Sequence, residues 1–299
     1  MRQAVVADRS QAPSLARLAS RYGLRVAGDR PSLAAYTRLV WLYRHFIVAF
    51  GTAHNAVSVS TARLGRLWQV LTPLVNAAVY FVMFGLVLGT RAGIDNFPAY
   101  LCIGVFLFGF TQQVVMSGLR SIIDNLGLVR ALHFPRASLP FAATLTQLQQ
   151  LGFALGVLVI IIIATGDMPN LRWPLLVPVL VLQLLFSCGL GLAMARMGSR
   201  TADLKHLMPF VLRTWMYASG VFYPVSMFEN HLHTSLATVL EINPLLVYLE
   251  LARHALLESP PPPGLPLPVL WLVAGVWAAV VGIGGYVYFW LGEKEYGRG

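Results

Sequence analysis

Long apolar runs separated by short polar segments dominate the chain from residue 68 onward. We predict helices at residues 68–90, 96–119, 138–165, 173–195, 207–224 and 269–291. A helix needs roughly 20 apolar residues to cross the hydrocarbon core of a bilayer, and these runs are close to that length or longer. The pattern therefore predicts an all-α integral membrane protein with six transmembrane helices.

The segment Ser219–Leu257 fits neither a loop nor a span. It is too apolar for a loop, and its charges fall too close together for a span, at Glu229, Glu241, Glu250 and Arg253. Its apolar runs are short, which is typical of re-entrant or interfacial segments. Pro224 and Pro244 each remove a backbone donor and bend the chain. We predict two short outer re-entrant helices between spans five and six.

The amino-terminal part divides into two segments. Residues 1–30 are rich in Ala, Ser and Arg and lack an apolar face, which predicts a disordered basic cytoplasmic tail. The segment Tyr36–Phe50 has apolar residues at helical spacing with Arg38 and Arg44 on another side. This pattern predicts an amphipathic helix lying among the membrane lipid headgroups. Residues 31–299 are thus predicted to form one transmembrane domain.

Composition and charge support a membrane location. The chain is 57% hydrophobic and only 11% charged, against about 25% charged residues in soluble domains. Its net charge of +10 lies mostly on one predicted side, whereas the other side holds Arg91, Arg172 and Arg253. This bias predicts that both termini are cytoplasmic and argues against a nucleic acid partner.

Several chemical signatures are missing from the sequence. The six predicted spans contain no Asp or Glu, which argues against an ion-coupled transporter and an intramembrane enzyme. No GxxxxGK[ST] motif is present, so ATP binding by a phosphate loop is excluded. Cys102 and Cys188 lie in apolar runs, and His231 and His233 lack further ligands, so we predict no metal site. We predict a passive conduit that binds no cofactor, with ATP and Mg on a partner subunit.

The loop Arg120–Pro140 is a candidate binding site for such a partner subunit. Its apolar residues and its charged residues Asp124, Arg130 and Arg136 form a short amphipathic element that a cytosolic motor protein could bind. The alternative is a basic connector at the lipid headgroups.

Two further features concern a substrate path. Arg213, about seven residues into its predicted span, either contacts a phosphate on a passing substrate or snorkels to the headgroups. Aromatic residues crowd three of the spans, and rings stack on sugar faces, although they also serve as span filler and interfacial anchors. The candidate path residues are Tyr80, Phe84, Phe106, Trp215, Tyr217, Phe222 and Tyr223.

Three stretches resemble a known family. They are RLGRLWQVLTPL at 63–74, LVRALHFPRASLPFA at 128–142, and the segment Ser219–Leu257 with its Phe-Tyr-Pro and Asn-Pro elements. Their order and topological places resemble the ABC-2 permeases, in the branch that exports O-antigen, teichoic acid and other lipid-linked polysaccharides. Arg200 and Asp203 resemble that family's Arg-Asp pair, but here two residues separate them.

The resemblance implies a function and an assembly. Two copies of the chain would form a channel, and two copies of a separate ATPase would bind the cytoplasmic loops and drive a lipid-linked glycan across the bacterial plasma membrane. The implied coupling residues are Asp124, Leu128, Arg130, Phe134, Pro135 and Arg136. The implied outer gate residues are Pro224, Glu241, Asn243 and Pro244. The chain looks most similar to actinobacterial versions that handle cell-wall galactan or teichoic-acid-like polymers.

Two other functions are kept as alternatives. The same fold could export a small amphipathic drug or lipid. The chain could also be an intramembrane transferase or a scaffold, although no convergent acid, base or metal groups are found for a transferase.

Overall fold

The computed structural model describes residues 31–60, 65–87, 89, 94–201, 203–225, 240–294 and 296. These residues are helical, without a β-strand among them. The α-helices are α1 (Leu33–Leu42), α2 (Arg44–Ser60), α3 (Gly65–Tyr80), α4 (Phe97–Ser121), α5 (Leu126–Ala131), α6 (Ser138–Ala164), α7 (Leu176–Arg200), α8 (Leu204–Tyr217), α9 (Pro244–Leu256) and α10 (Leu267–Leu291). Helix α3 continues as a π-helix, Phe81–Val87, and short 3-10 turns precede α5 and α7.

Four helices are long and apolar enough to cross a membrane. They are Phe97–Ser121, Ser138–Ala164, Trp173–Arg200 and Leu267–Leu291, and they coincide with four of the six predicted runs. In the first predicted run, the apolar part of the helix is the shorter stretch Leu74–Val87. The all-α membrane architecture is therefore confirmed, and the count of six spans stays a prediction.

The fifth predicted run, 207–224, is helical over a shorter stretch than expected. Helix α8 has 14 residues, or about 21 Å at 1.5 Å per residue, against a hydrocarbon core of about 30 Å. The chain leaves the helix at Ala218 and turns through Gly220, whose φ of +60° favours glycine. Phe222 and Tyr223 therefore lie in a turn, although the sequence pattern placed them in the span.

The amino-terminal segment forms two helices where one, Tyr36–Phe50, was predicted. A turn at Tyr43 separates α1 from α2. Tyr36 is buried, whereas Trp41 and Leu42 are exposed, with the Arg44 guanidinium over the Trp41 ring. The apolar face of α1 is thus divided between the protein and the surroundings, as expected at a membrane interface. The predicted tail, residues 1–30, lies outside the described residues.

The core of the bundle depends on close backbone contact between helices. Gly189 of α7 faces Gly285 of α10, and Gly118 of α4 faces Gly191 of α7. In a membrane, small residues let helix backbones approach closely, and van der Waals contact then replaces the hydrophobic effect as the cause of association. Helix α7 thereby contacts both α4 and α10, and α6 packs against α4.

Candidate transport path and coupling surface

A groove follows one side of the bundle, where residues of α2, α4, α6 and α8 approach one another. Its first part is a cavity of about 480 Å³ that contains Arg120 and Asp124 in its lining. Because Asp124 is exposed and belongs to the predicted coupling loop, this part opens at the loop end of the bundle.

A second cavity, also about 480 Å³, continues the groove along α4 and α6. Gln112, Gln113 and Gln147 line both cavities, so the two parts are adjacent. The second part extends to Tyr80, Phe106 and Arg213. The groove thus leads from the coupling loop to the aromatic residues near the end of α3.

Amide side chains give the groove its chemical character. The amides lining the second part are Asn76, Gln112, Gln113, Gln147 and Gln150. Each amide offers both donors and acceptors, the pattern that sugar hydroxyl groups require. The sequence pattern did not single out these residues, although polar groups within apolar spans are costly and commonly functional. The spacing of Gln147 and Gln150 also places them on one helix face.

An aromatic cluster lies at the far end of the groove. The Phe222 ring stacks on Phe84, with centroids 4.4 Å apart, and meets Tyr80 edge-on at 4.7 Å. Tyr217 completes the cluster at 5.5 Å from Phe222. The structure thus brings together four of the seven predicted path residues, and Tyr80 belongs to both cluster and groove.

The other three predicted path residues have different surroundings. Phe106 lines the groove although it is buried. Trp215 instead packs edge-on against Phe108 and Phe186 inside the bundle. The carbonyl group of Tyr223 accepts a hydrogen bond from the Tyr100 hydroxyl, which ties the turn after α8 to α4.

Asn243, a predicted outer gate residue, ties α9 to the end of α8. Its Oδ1 atom accepts hydrogen bonds from the Leu245 amide at 3.2 Å and from Trp215 Nε1 at 3.0 Å. Its Nδ2 atom donates to the Ala218 carbonyl at 2.9 Å. Pro244 follows as the first helical residue, where its missing N–H has no cost. The Asn243 side chain therefore caps the start of α9 and also bonds the backbone at the end of α8.

We expect Asn243→Ala to destabilise the protein by about 1–2 kcal/mol or more, because it removes the helix cap and leaves Trp215 Nε1 without an acceptor. Thermal unfolding in detergent would measure the loss. In Asn243→Asp, the acceptor remains and the donor is lost, so an intermediate unfolding temperature is expected. An unchanged unfolding temperature in Asn243→Ala would contradict the proposed link between the helices.

A buried ion pair lies in the same region of the bundle. Arg253 is 1% exposed and donates to Glu250 at 3.0 Å and to the Val221 carbonyl at 3.1 Å. Its guanidinium also lies over the Tyr100 ring. Helix α9 lies where one of the two re-entrant helices was predicted, and it is buried in the protein, while its re-entrant course stays a prediction. The other, including residues 226–239, lies outside the described residues.

The remaining predicted gate residues flank this region. Pro224 is buried after the turn, and Glu241 is half-buried just before Asn243. The side chain of Glu241 lies beside Gly264, in the segment that leads to α10. All four predicted gate residues therefore lie near the junction of α8, α9 and α10.

The predicted coupling loop presents one exposed and one packed part. Asp124 and Arg130 are exposed, and Leu128 is half-buried. Phe134 lies 5.3 Å from the Phe46 ring of α2, and Pro135 is buried behind it. A partner can therefore reach the first part of the loop, while the second part contacts α2.

Glu293 connects this loop to α1 and to the end of α10. Its carboxylate accepts hydrogen bonds from the Tyr36 hydroxyl at 2.7 Å and from the Arg136 amide at 3.2 Å. The Arg136 side chain also donates to the Glu293 carbonyl group. Burial raises the pKa of Glu293, and its contacts with Tyr36 and Arg136 oppose that rise. The sequence offered no signal for this junction, because its members are distant along the chain.

Comparison with known proteins agrees with this arrangement. The profile of the ABC-2 type transporter family matches residues 52–257, which is more than half of the chain. The chain belongs to the ABC-2 type transporter family. The predicted family is thus confirmed, and family membership indicates a multi-pass membrane subunit of a transporter that works with an ABC ATPase.

Several relatives of this ABC-2 protein are bacterial export permeases. The O-antigen export system permease protein RfbA of Myxococcus xanthus is 27% identical over 244 residues, covering 81% of this chain and 92% of the relative. A protein of the same name from Klebsiella pneumoniae is 24% identical and covers 57% and 66%, respectively. The polysialic acid transport protein KpsM of Escherichia coli is 23% identical and covers 66% and 75%.

Proposed function

We propose that this chain is the membrane subunit of an ATP-driven exporter of a lipid-linked polysaccharide. The observation that carries the proposal is the groove lined by amides and ending at an aromatic cluster. Amides match sugar hydroxyls, and aromatic rings are suited to sugar faces. The names of the relatives, an O-antigen export permease and a polysialic acid transport protein, support polysaccharide as the broad substrate class.

The proposed orientation places the coupling loop and both termini in the cytoplasm. Arg120, Arg130 and Arg136 lie on one side of the spans, at the end where the chain finishes after Glu293. Such an excess of arginine marks the cytoplasmic side. In this orientation, α3 and α8 complete six membrane-inserted segments, and α9 is re-entrant from the outside.

The chain would act as a homodimer. Trp68, Gln113 and Arg213 line the groove and are exposed, so the groove is open along one side. Amide and guanidinium groups facing lipid tails would be costly. A second copy laid over this side would enclose both grooves and remove that cost. Two ATPase subunits would then engage the two coupling loops.

Arg213 would contact the phosphate of the lipid carrier. Within the described part of the chain, no carboxylate lies within ion-pair distance of it, and it borders the groove beside Tyr80. A guanidinium in such a place suits a phosphate group. This position favours substrate contact over snorkelling to the headgroups, which was the alternative from sequence.

We expect Arg213→Gln to lower export about tenfold or more, since a charge-assisted hydrogen bond contributes about 1.5–3 kcal/mol. Arg213→Lys retains the positive charge, so its export should fall less than that of Arg213→Gln. Export would be measured in proteoliposomes that contain the chain and its ATPase, with the variants matched for protein content. Equal export by the wild type and Arg213→Gln would show that Arg213 does not contact the substrate.

The function itself is tested in native membranes. Purification of the tagged chain should recover an ATP-binding cassette ATPase, and depletion of the chain should remove a glycan from the cell surface. If no ATPase is recovered and the surface glycans are unchanged, the proposal is wrong. Export of hydrophobic drugs with no effect on surface glycans would instead favour the alternative of a small amphipathic substrate.

A further inference from the structure

Few of the described residues that line the groove are charged. Among the described residues that line its two parts, the charged side chains are Arg120, Asp124 and Arg213. Arg120 and Asp124 have opposite signs and lie at the same end, so their charges largely offset each other at a distance. Arg213 is then the one uncompensated cation along the described lining.

The other polar residues in the described lining are neutral. Besides the amides, the first part of the groove has the hydroxyl groups of Ser117, Ser121 and Thr146. Neutral donors and acceptors can replace the water around sugar hydroxyls. They cannot neutralise a repeated negative charge, because an anion taken from water into a confined site is costly unless a cation lies close to it. Pores for anions accordingly carry rings of Arg or Lys.

We propose that the groove selects a glycan that is uncharged along its length, with its negative charge confined to the phosphate-bearing lipid end. This inference rests on the proposed function and narrows its substrate class. It excludes teichoic-acid-like and other polyanionic polymers, which carry a charge at every repeat. Arg213, the uncompensated cation of the described lining, would meet the phosphate-bearing end of such a substrate.

The test compares two probes on the same polyprenyl-pyrophosphate carrier. One bears an uncharged galactose oligomer and the other a sialic acid oligomer of equal length. Proteoliposomes containing the full chain and its ATPase should transport the uncharged probe at least about tenfold faster, since unpaired charges are strongly excluded from such sites.

Added cations should weaken this preference. Gln113→Lys and Gln147→Lys place positive charge in the groove and should raise the ratio of sialylated to uncharged transport severalfold. Gln149→Lys is the matched control: it adds the same charge two positions from Gln147 on α6, at a residue outside the groove lining, and should leave the ratio unchanged.

The outcomes separate this inference from the proposed function. Equal transport of both probes by the wild type, or an equal response to all three lysine variants, would overturn the charge selection while leaving glycan export intact. Failure to transport either probe, by a folded chain that binds its ATPase, would contradict the proposed function itself.

Discussion

Gly285→Ala should destabilise the bundle more than the same change at any other glycine of α10. A Cβ atom at Gly285 would lie less than 3.0 Å from the backbone of Gly189 in α7, including its carbonyl oxygen. A backbone atom cannot rotate away as a side chain can, so the two helices must separate along their contact. Overpacking typically costs about 1–3 kcal/mol, and a backbone clash lies at or above the upper end of that range.

The neighbouring glycine provides the matched control. A Cβ atom at Gly284 would have nothing within 4 Å, so Gly284→Ala should be neutral or slightly stabilising, because alanine favours a helix more than glycine does. Thermal unfolding in detergent should place Gly285→Ala roughly 5 °C or more below the wild type and Gly284→Ala close to it. Equal unfolding temperatures for the two variants would contradict the close contact between α7 and α10.

Phe134→Asp should uncouple ATP hydrolysis from export. Phe134 packs against Phe46 of α2, and the neighbouring His133 carbonyl accepts a hydrogen bond from Tyr43 at 3.3 Å. This contact is where a displacement of the loop would push on the amino-terminal helices. An aspartate at position 134 cannot keep the packing contact with Phe46, because a carboxylate placed against an aromatic ring loses its hydration without gaining a hydrogen-bond partner. We expect export to fall at least about tenfold, since losing even half of an aromatic side chain's packing exceeds 1.4 kcal/mol.

The control at the same position is Phe134→Leu, which keeps an apolar contact with Phe46 and should retain most export. ATP hydrolysis by the assembled complex and glycan transport would be measured on the same proteoliposomes. Phe134→Asp should hydrolyse ATP while transporting little. If it exports normally, Phe134 has no part in coupling. If it no longer binds the ATPase, its role is in docking, which we assign to the exposed part of the loop at Asp124 and Arg130.

The long spans could be predicted from sequence, whereas the short inserted segments could only be outlined. Residues 138–165 were predicted nearly to the residue, because an uninterrupted apolar run has one low-energy form in a bilayer, a helix. Residues 207–224, which include Arg213, form a helix only to Tyr217, and the Asn243 side chain, distant in sequence, donates a hydrogen bond to the Ala218 carbonyl group where the helix ends. That contact is tertiary and leaves no local pattern.

The candidate site also has a part that could be predicted from sequence and a part that could not. The sequence indicated the aromatic residues, and four of them do cluster, but it gave no reason to separate Tyr80 from Trp215, which faces the interior of the bundle. The sequence also did not predict that Gln113 and Gln147 line the same groove, because the two residues lie on different helices and no sequence pattern relates them.

Hydrophobicity, charge bias and short motifs thus determined by themselves that the chain is a helical membrane protein of the ABC-2 family. Each segment partitions between lipid and water according to its own composition, so the local sequence is sufficient to specify which segments form membrane helices. Only the tertiary structure decided which polar residues share a groove and that Glu293 joins Tyr36 to Arg136. Those contacts depend on how the helices pack. The glycines of α7 set the close spacing between α7 and its neighbours, and a pattern along the sequence does not encode that spacing.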